Sequence, residues 1–238
     1  MRTGACGILL ATYFIGNSVF AQSATSLSAD DRSTIQALMG QYSQALSGCR
    51  AAEFAGLFAP ETGYFASGFR GVMVGRERLI ALVESERQCV VPGAKLLAAR
   101  PGGANGLTVA IDVTGGGVHG LAKAGNTEYQ DEYVKTAQGW RFASRTVITA
   151  AEKGAGLDAR GVLAIQRLGG ANPGDHYEPD QNGHPRLMTS GVKVSISADQ
   201  VTGRAYLNDG GYDDQSYEKL SSGEWRLKSS VHVPPATH

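Results

Sequence analysis

One stretch constrains this chain more than any other: Tyr129 to Val147, Tyr-Gln-Asp-Glu-Tyr-Val-Lys-Thr-Ala-Gln-Gly-Trp-Arg-Phe-Ala-Ser-Arg-Thr-Val. Two β-rich runs flank a short loop ending in Gly139, which is the pattern of a β-hairpin. A three-residue loop Ala137-Gln138-Gly139, with Gly139 at positive φ and a bulge beside it, sets the register. That register places Val134 opposite Phe142, Asp131 opposite Arg145 and Lys135 opposite Arg141. Because side chains alternate along a strand, Trp140, Phe142 and Val134 then form a core face. Tyr129, Asp131, Tyr133 and Arg145 share the other face. A loop one residue longer would separate Asp131 from Arg145, so the site argument rests on this register.

The chain opens with Arg2 and a mostly apolar run from Ala5 to Ile15, too short to span a membrane comfortably. Val19-Phe20-Ala21 puts small residues at the cleavage positions. Residues 1–21 therefore read as a secretory signal peptide, and the remainder as an exported protein, periplasmic or secreted. Without Arg2 the basic and acidic residues balance to within one charge. Such a chain has no long-range attraction for nucleic acid or for an anionic membrane. Export leaves Cys49 and Cys89, which either bridge or stay as two thiols. A nucleophilic role would need a nearby base, and neither has a histidine close in sequence.

Ser28 is an N-cap candidate with Asp31 three residues on, and Ile35, Leu38, Met39, Tyr42 and Leu46 recur at helical spacing until Gly48. A second helix is expected over Ala51 to Phe58 and a third over Arg76 to Gln88. Strands are expected at Tyr64-Phe65, Phe69 to Val74, Lys95 to Ala99, Leu107 to Val113 and Val118 to Ala124, before the hairpin. This order, with Ile35-Gln36-x-Leu38-x-x-x-Tyr42-x-x-Ala45-Leu46, Leu57-Phe58-Ala59-Pro60-Glu61 and the hairpin motif, resembles the nuclear-transport-factor-2-like superfamily, and most of all its SnoaL-like branch. The resemblance covers about Leu27 to Ile148. It implies an α+β fold in which a bent, mixed sheet wraps around three helices as a cone with a deep apolar pocket. Residues 22–150 would form that domain.

The rest of the chain echoes the first part in order. Leu27 to Leu38 matches Leu157 to Leu168, Lys95-Leu96-Leu97 resembles Arg186-Leu187-Met188, Tyr129-x-Asp131 matches Tyr212-Asp213-Asp214, and Gly139-Trp140-Arg141-Phe142 matches Gly223-Glu224-Trp225-Arg226-Leu227. Ordered matches of this kind indicate a duplication. Residues 157–238 would be a truncated copy, one helix plus strands, joined by a linker at 151–156. A sheet with one helix needs another surface to lean on, either the first domain or another chain. Gly169 to Gly183 reads as an exposed loop, in which His176, Asp175 and Glu178 lack metal-ligand spacing.

The resemblance places candidate pocket residues at Tyr42, Tyr64, His119, Asp131 and Arg145, with Tyr129 and Tyr133 beside them. Asp131 would act as general base, Arg145 and the tyrosines would steady an oxyanion, and His119 would carry protons in reserve. Each has a plainer reading: Asp131–Arg145 as a cross-strand ion pair, Tyr42 as core, His119 as a surface residue at a Gly-rich bend. The acidic residue many catalytic members carry after the first helix is replaced here by Leu46-Ser47-Gly48, and no histidine precedes Lys95. The dehydratase-type Asp/His pairing is therefore not carried over. Two functions follow. One is a cofactor-independent isomerase, cyclase, dehydratase or lyase acting on a small apolar or aromatic molecule. The other is a non-catalytic ligand-binding or assembly module, with the second copy mediating pairing into a homodimer. No metal spacing or nucleotide fingerprint is visible, so neither metal nor cofactor is expected.

Overall fold

The computed structural model describes residues 26–91, 107–169, 176–179, 185–188, 191–197, 200–207 and 209–235. The N-terminal segment and the strand expected at Lys95 to Ala99 lie outside the described residues. Among the described residues no helix is long and apolar enough to cross a membrane.

Helix α1, Ala29–Ser47, starts where Ser28 accepts the Asp31 N–H at 3.1 Å and buries Ile35, Leu38, Met39, Tyr42, Ala45 and Leu46. Helix α2 spans Ala51–Gly56. Strands β1, Tyr64–Ser67, and β2, Gly71–Val74, form a hairpin. The expected third helix is broken in two, α3 at Arg76–Glu84 and α4 at Arg87–Val90. A disulfide joins Cys49, just past α1, to Cys89 in α4, with Cα atoms 5.5 Å apart. Strands β3, Val109–Thr114, β4, Gly117–Ala124, β5, Thr127–Thr136, and β6, Gly139–Ile148, follow as a meander. Six strands form one mixed sheet in the order β2-β1-β6-β5-β4-β3, with β1 parallel to β6. The helices pack on one of its faces around a core that includes Ile35, Met39, Tyr42, Phe54, Phe58, Leu79 and Phe142.

The β5–β6 register differs from the expected one in an instructive way. The loop has two residues, Ala137-Gln138, and Thr136 pairs with Gly139. The Thr136 hydroxyl closes this tight turn by donating to the Gly139 carbonyl at 2.8 Å and accepting the Gln138 N–H at 3.1 Å, while Gly139 takes φ +100°. Tyr133 thus pairs with Phe142, Val134 with Arg141 and Lys135 with Trp140. The extra residue appears further on, as a bulge at Ala143 between the pairs Tyr133–Phe142 and Glu132–Ser144. It restores Asp131 to its place opposite Arg145. It also brings Trp140 and Phe142 onto the same face as Tyr129, Asp131, Tyr133 and Arg145, rather than the opposite one. Val134, expected in the core, faces outward and is 37% exposed.

The stretch expected as a linker, 151–156, is mostly helical: α5, Ala150–Gly154, is held by a capping box in which Thr149 accepts the Glu152 N–H and Glu152 accepts the Thr149 N–H. Helix α6, Ala159–Leu168, comes next. The segment expected as a plain loop, Gly169 to Gly183, contains strand β7, His176–Pro179, which pairs with β8, Pro185–Met188, just beyond it. Strands β9, Val192–Ser197, β10, Gln200–Tyr206, β11, Tyr212–Lys219, and β12, Trp225–Val233, form a four-stranded antiparallel sheet in sequence order.

The two meanders share particular details. In α1, Gln36 Nε2 donates to the Leu107 carbonyl at 2.7 Å and its Oε1 accepts the Val109 N–H at 2.9 Å. In α6, Gln166 does the same for Val192, with both bonds at 2.7 Å. A Cβ on Gly120 would meet Tyr133 at 2.6 Å and Val109 at 2.8 Å, and one on Gly203 would meet the rings and methyls of Tyr217 and Val192. The β11–β12 pair carries its bulge between Ser216 and Tyr217, matching that between Glu132 and Tyr133. These registers align Asp131 with Gln215 and Arg145 with Ser230, so the sequence match of Asp131 to Asp214 is displaced by one residue. The second sheet and α6 lean on the first sheet: Val194 N–H donates to the Gly68 carbonyl at 2.6 Å, and α6 packs against β1, β2 and β6.

Candidate functional site

The side chains expected to share one pocket divide between two faces of the first sheet. Tyr42, Tyr129, Tyr133, Asp131 and Arg145 lie inside, under α1. Tyr64 and His119 lie on the outer face, because Tyr64 pairs with Ser144 through the parallel β1–β6 register and His119 pairs with Glu132. That parallel pairing was not visible in the sequence, and it sets the face that Tyr64 joins.

Inside, Arg145 Nε donates to Asp131 Oδ1 at 2.8 Å and Nη2 to Oδ2 at 2.6 Å, a two-point pair whose side chains are both 0% exposed. The Tyr133 hydroxyl donates to the same Oδ2 at 2.9 Å. The guanidinium carbon stands 4.2 Å from the Tyr42 ring centre, 4.2 Å from that of Phe142 and 5.0 Å from that of Tyr129, and Nη2 also touches Met39 Sδ. Phe54 and Phe58 extend this ring cluster. Arg145 Nη1 has no hydrogen-bond partner among the described residues and is screened instead by aromatic faces. Burial pulls the guanidinium's pKa down, but the Asp131 carboxylate more than offsets this and the net shift is upward. Burial, reinforced by the Asp131 charge, pushes the Tyr133 hydroxyl well above its ordinary range. The carboxylate expected to face a pocket therefore looks inward onto packed rings, held by three hydrogen bonds from Arg145 and Tyr133 and without exposed surface. A general base needs a free lone pair within reach of substrate.

Outside, a groove of about 380 Å³ lies between the sheet and the start of α6. Tyr64, Gln130 and Ser144 line the sheet side, Leu121 and Leu163 are its apolar lining, and Asp112, His119, Glu132, Asp158 and Arg160 are also in contact with it. Asp131 borders it only from behind, since its carboxylate has no exposed surface. Gln130 Oε1 accepts the Ala159 N–H at 2.8 Å and thereby ties α6 to the sheet. Burial raises the Tyr64 pKa against the opposing effect of its bond to Ser144. His119 Nδ1 stands 4.0 Å from Glu132. Sequence reasoning missed Asp112, Leu121, Gln130, Glu132, Ser144, Asp158, Arg160 and Leu163. Asp112, Leu121, Gln130 and Glu132 share the outward parity of His119 in the β3–β4–β5 meander and had that much signal, whereas Ser144 depends on the β6 bulge and the parallel pairing with β1. The α6 residues had no such signal. Among the described residues no three of His, Cys, Asp and Glu converge on a metal-sized space.

The family model for the SnoaL-like domain matches residues 28–146, half of the chain, from the N-cap of α1 to the second arm of the hairpin. The chain belongs to the SnoaL-like family. No curated protein matches it. Among solved structures it resembles an NTF2-like protein with a cystatin-like fold from Novosphingobium aromaticivorans, at 18% identity over 50% of this chain and 82% of that one, TM-score 0.39. It also resembles a type 2 hexachlorocyclohexane dehydrochlorinase, LinA, at 13% identity over 51% and 89%, TM-score 0.37. A third is ActVI-ORFA of Streptomyces coelicolor, at 17% identity over 49% and 95%, TM-score 0.35. These likenesses concern the fold and say nothing of a reaction in this SnoaL-like protein.

Proposed function

We propose that this SnoaL-like protein is a non-catalytic binder of a small molecule with an apolar or aromatic body, and that the ligand lies in the groove between the outer sheet face and α6. In this reading residues 157–238 are a shortened copy of the first domain, recruited as one wall of the site. The shared glutamine clamps, glycine contacts and bulges support the duplication. The chain is exported, periplasmic or secreted, a reading supported by the character of residues 1–21 and by the Cys49–Cys89 bridge.

The observation that carries the proposal is the contrast between the two faces. The Asp131 carboxylate is enclosed and held by three hydrogen bonds, whereas the outer groove joins apolar walls to open polar groups, the usual make-up of a ligand site. The test is a ¹H–¹⁵N NMR titration of the full chain with single-ring probes such as phenol and benzyl alcohol. Shifts confined to Tyr64, Leu121, Ser144 and Leu163 are expected. Shifts centred on Tyr42, Tyr129 and Asp131 would overturn the proposal. A second reading, a proton-transferring isomerase or lyase, is favoured by the approach of His119 to Glu132 in the same groove. It predicts solvent deuterium exchange into a bound carbon acid that His119→Gln abolishes.

A further inference from the structure

We infer that the groove selects an organic cation, a single ring bearing a protonated amine. This inference rests on the reading that the groove is the ligand site. Its size, about 380 Å³, sits at the lower end of ordinary small-molecule pockets (about 300–1,000 Å³), which suits one ring and a short arm. Leu121, Leu163 and the Tyr64 ring supply the apolar surface. Three carboxylates, Asp112, Glu132 and Asp158, line the same space against one fixed cation, Arg160. Asp112 makes no hydrogen bond or ion pair to a described residue, so its charge is available to a ligand.

The feature that would otherwise favour an anion is already used. The α6 N-terminus points its amides toward this region, but Ala159 N–H donates to Gln130 Oε1 at 2.8 Å and Gly161 N–H to Asp158 Oδ1 at 2.7 Å. An anionic ligand would meet three carboxylates against the single Arg160 side chain, and a helix end two of whose first three donors are already bonded. A cation over the Tyr64 ring would instead gain from both the carboxylates and the aromatic face.

The experiment compares three near-isosteric probes on the full chain: 2-phenylethylammonium, 2-phenylethanol and 3-phenylpropanoate. Affinities and chemical-shift maps are read in the same ¹H–¹⁵N titrations at low salt. The ammonium is expected to bind about tenfold more tightly than the alcohol, a ratio suited to two partly exposed ion pairs, with the propanoate weakest. Asp112→Asn combined with Glu132→Gln, both at exposed positions, should narrow the ammonium-to-alcohol ratio to less than about threefold. If the alcohol or the propanoate matches the ammonium while shifting the same groove amides, the cation preference is refuted and the groove remains a site. If none of the three shifts those amides, the inference falls together with the reading it rests on.

Discussion

Asp131→Asn removes one charge from a pair that has no contact with water. The asparagine can still accept one bond from Arg145, but the guanidinium is left charged among Tyr42, Phe142, Tyr129 and Met39. Breaking a buried pair from one side costs about 3–5 kcal/mol, because the desolvation of the remaining charge is no longer compensated. At about 2–4 °C per kcal/mol for a chain of this size, the thermal midpoint should fall by roughly 6–20 °C. Arg145→Met should cost a similar amount, since it leaves Asp131 with only the Tyr133 hydroxyl. The double change Asp131→Asn with Arg145→Met should be milder than either single one. The second sheet offers the precedent: Gln215 stands at the position of Asp131, is buried, accepts from the Tyr217 hydroxyl and donates to the Gly169 carbonyl at 3.0 Å. Calorimetry on the four proteins closes the cycle, with a coupling of at least about 2 kcal/mol expected. Single changes that move the midpoint by under about 2 °C, or losses that simply add, would refute the structural role given to this pair.

Three further outcomes follow from other parts of the fold. Asp31 accepts from Trp140 Nε1 at 2.7 Å and Lys135 Nζ at 2.9 Å, and these bonds, with Ser28, hold its carboxyl far below the usual range. A depressed folded pKa means that this contribution is complete above about pH 4, the ordinary carboxylate value, and is lost as pH falls further. Asp31→Asn should therefore lower the midpoint at pH 7 and flatten its acid dependence below pH 4 in a pH-series thermal melt. Burial raises the pKa values of Tyr64, Tyr133 and Tyr217, so their contribution is complete below about pH 10 and declines above it. Absorbance at 295 nm should show these three ionising late, together with unfolding at high pH. The Cys49–Cys89 bridge closes a separation of 40 residues, for which chain entropy gives about 4 kcal/mol. A matched pair of melts with and without reductant should separate widely, and coincident melts would contradict the estimate.

The sequence made the hairpin and its central pair legible for partly accidental reasons. The loop is one residue shorter than the spacing suggested, and the bulge at Ala143 supplies the missing residue, so Asp131 meets Arg145 in either register. Strict alternation could not show that the bulge also turns Trp140 and Phe142 toward the helices. The capping box of Thr149 and Glu152 was present in the sequence yet straddled the start of the stretch expected as a linker. The core stripe of α1 was fully readable, because it depends on local periodicity alone. The groove was not readable. It exists because β1 pairs in parallel with β6 and because α6 docks on the outer face, and both are tertiary choices without a local signature. Tyr64 and His119 were thus picked out as chemically interesting but placed on the wrong side of the sheet.

The most direct measurement is a crystal structure of the full chain soaked with small aromatic fragments. Fragment density is expected against Tyr64, Leu121 and Leu163, with the Asp131–Arg145 pair unmoved. Density lodged between Tyr42 and Tyr129, with the Asp131 carboxylate released from Arg145 to meet it, would instead put the ligand site on the inner face of the sheet.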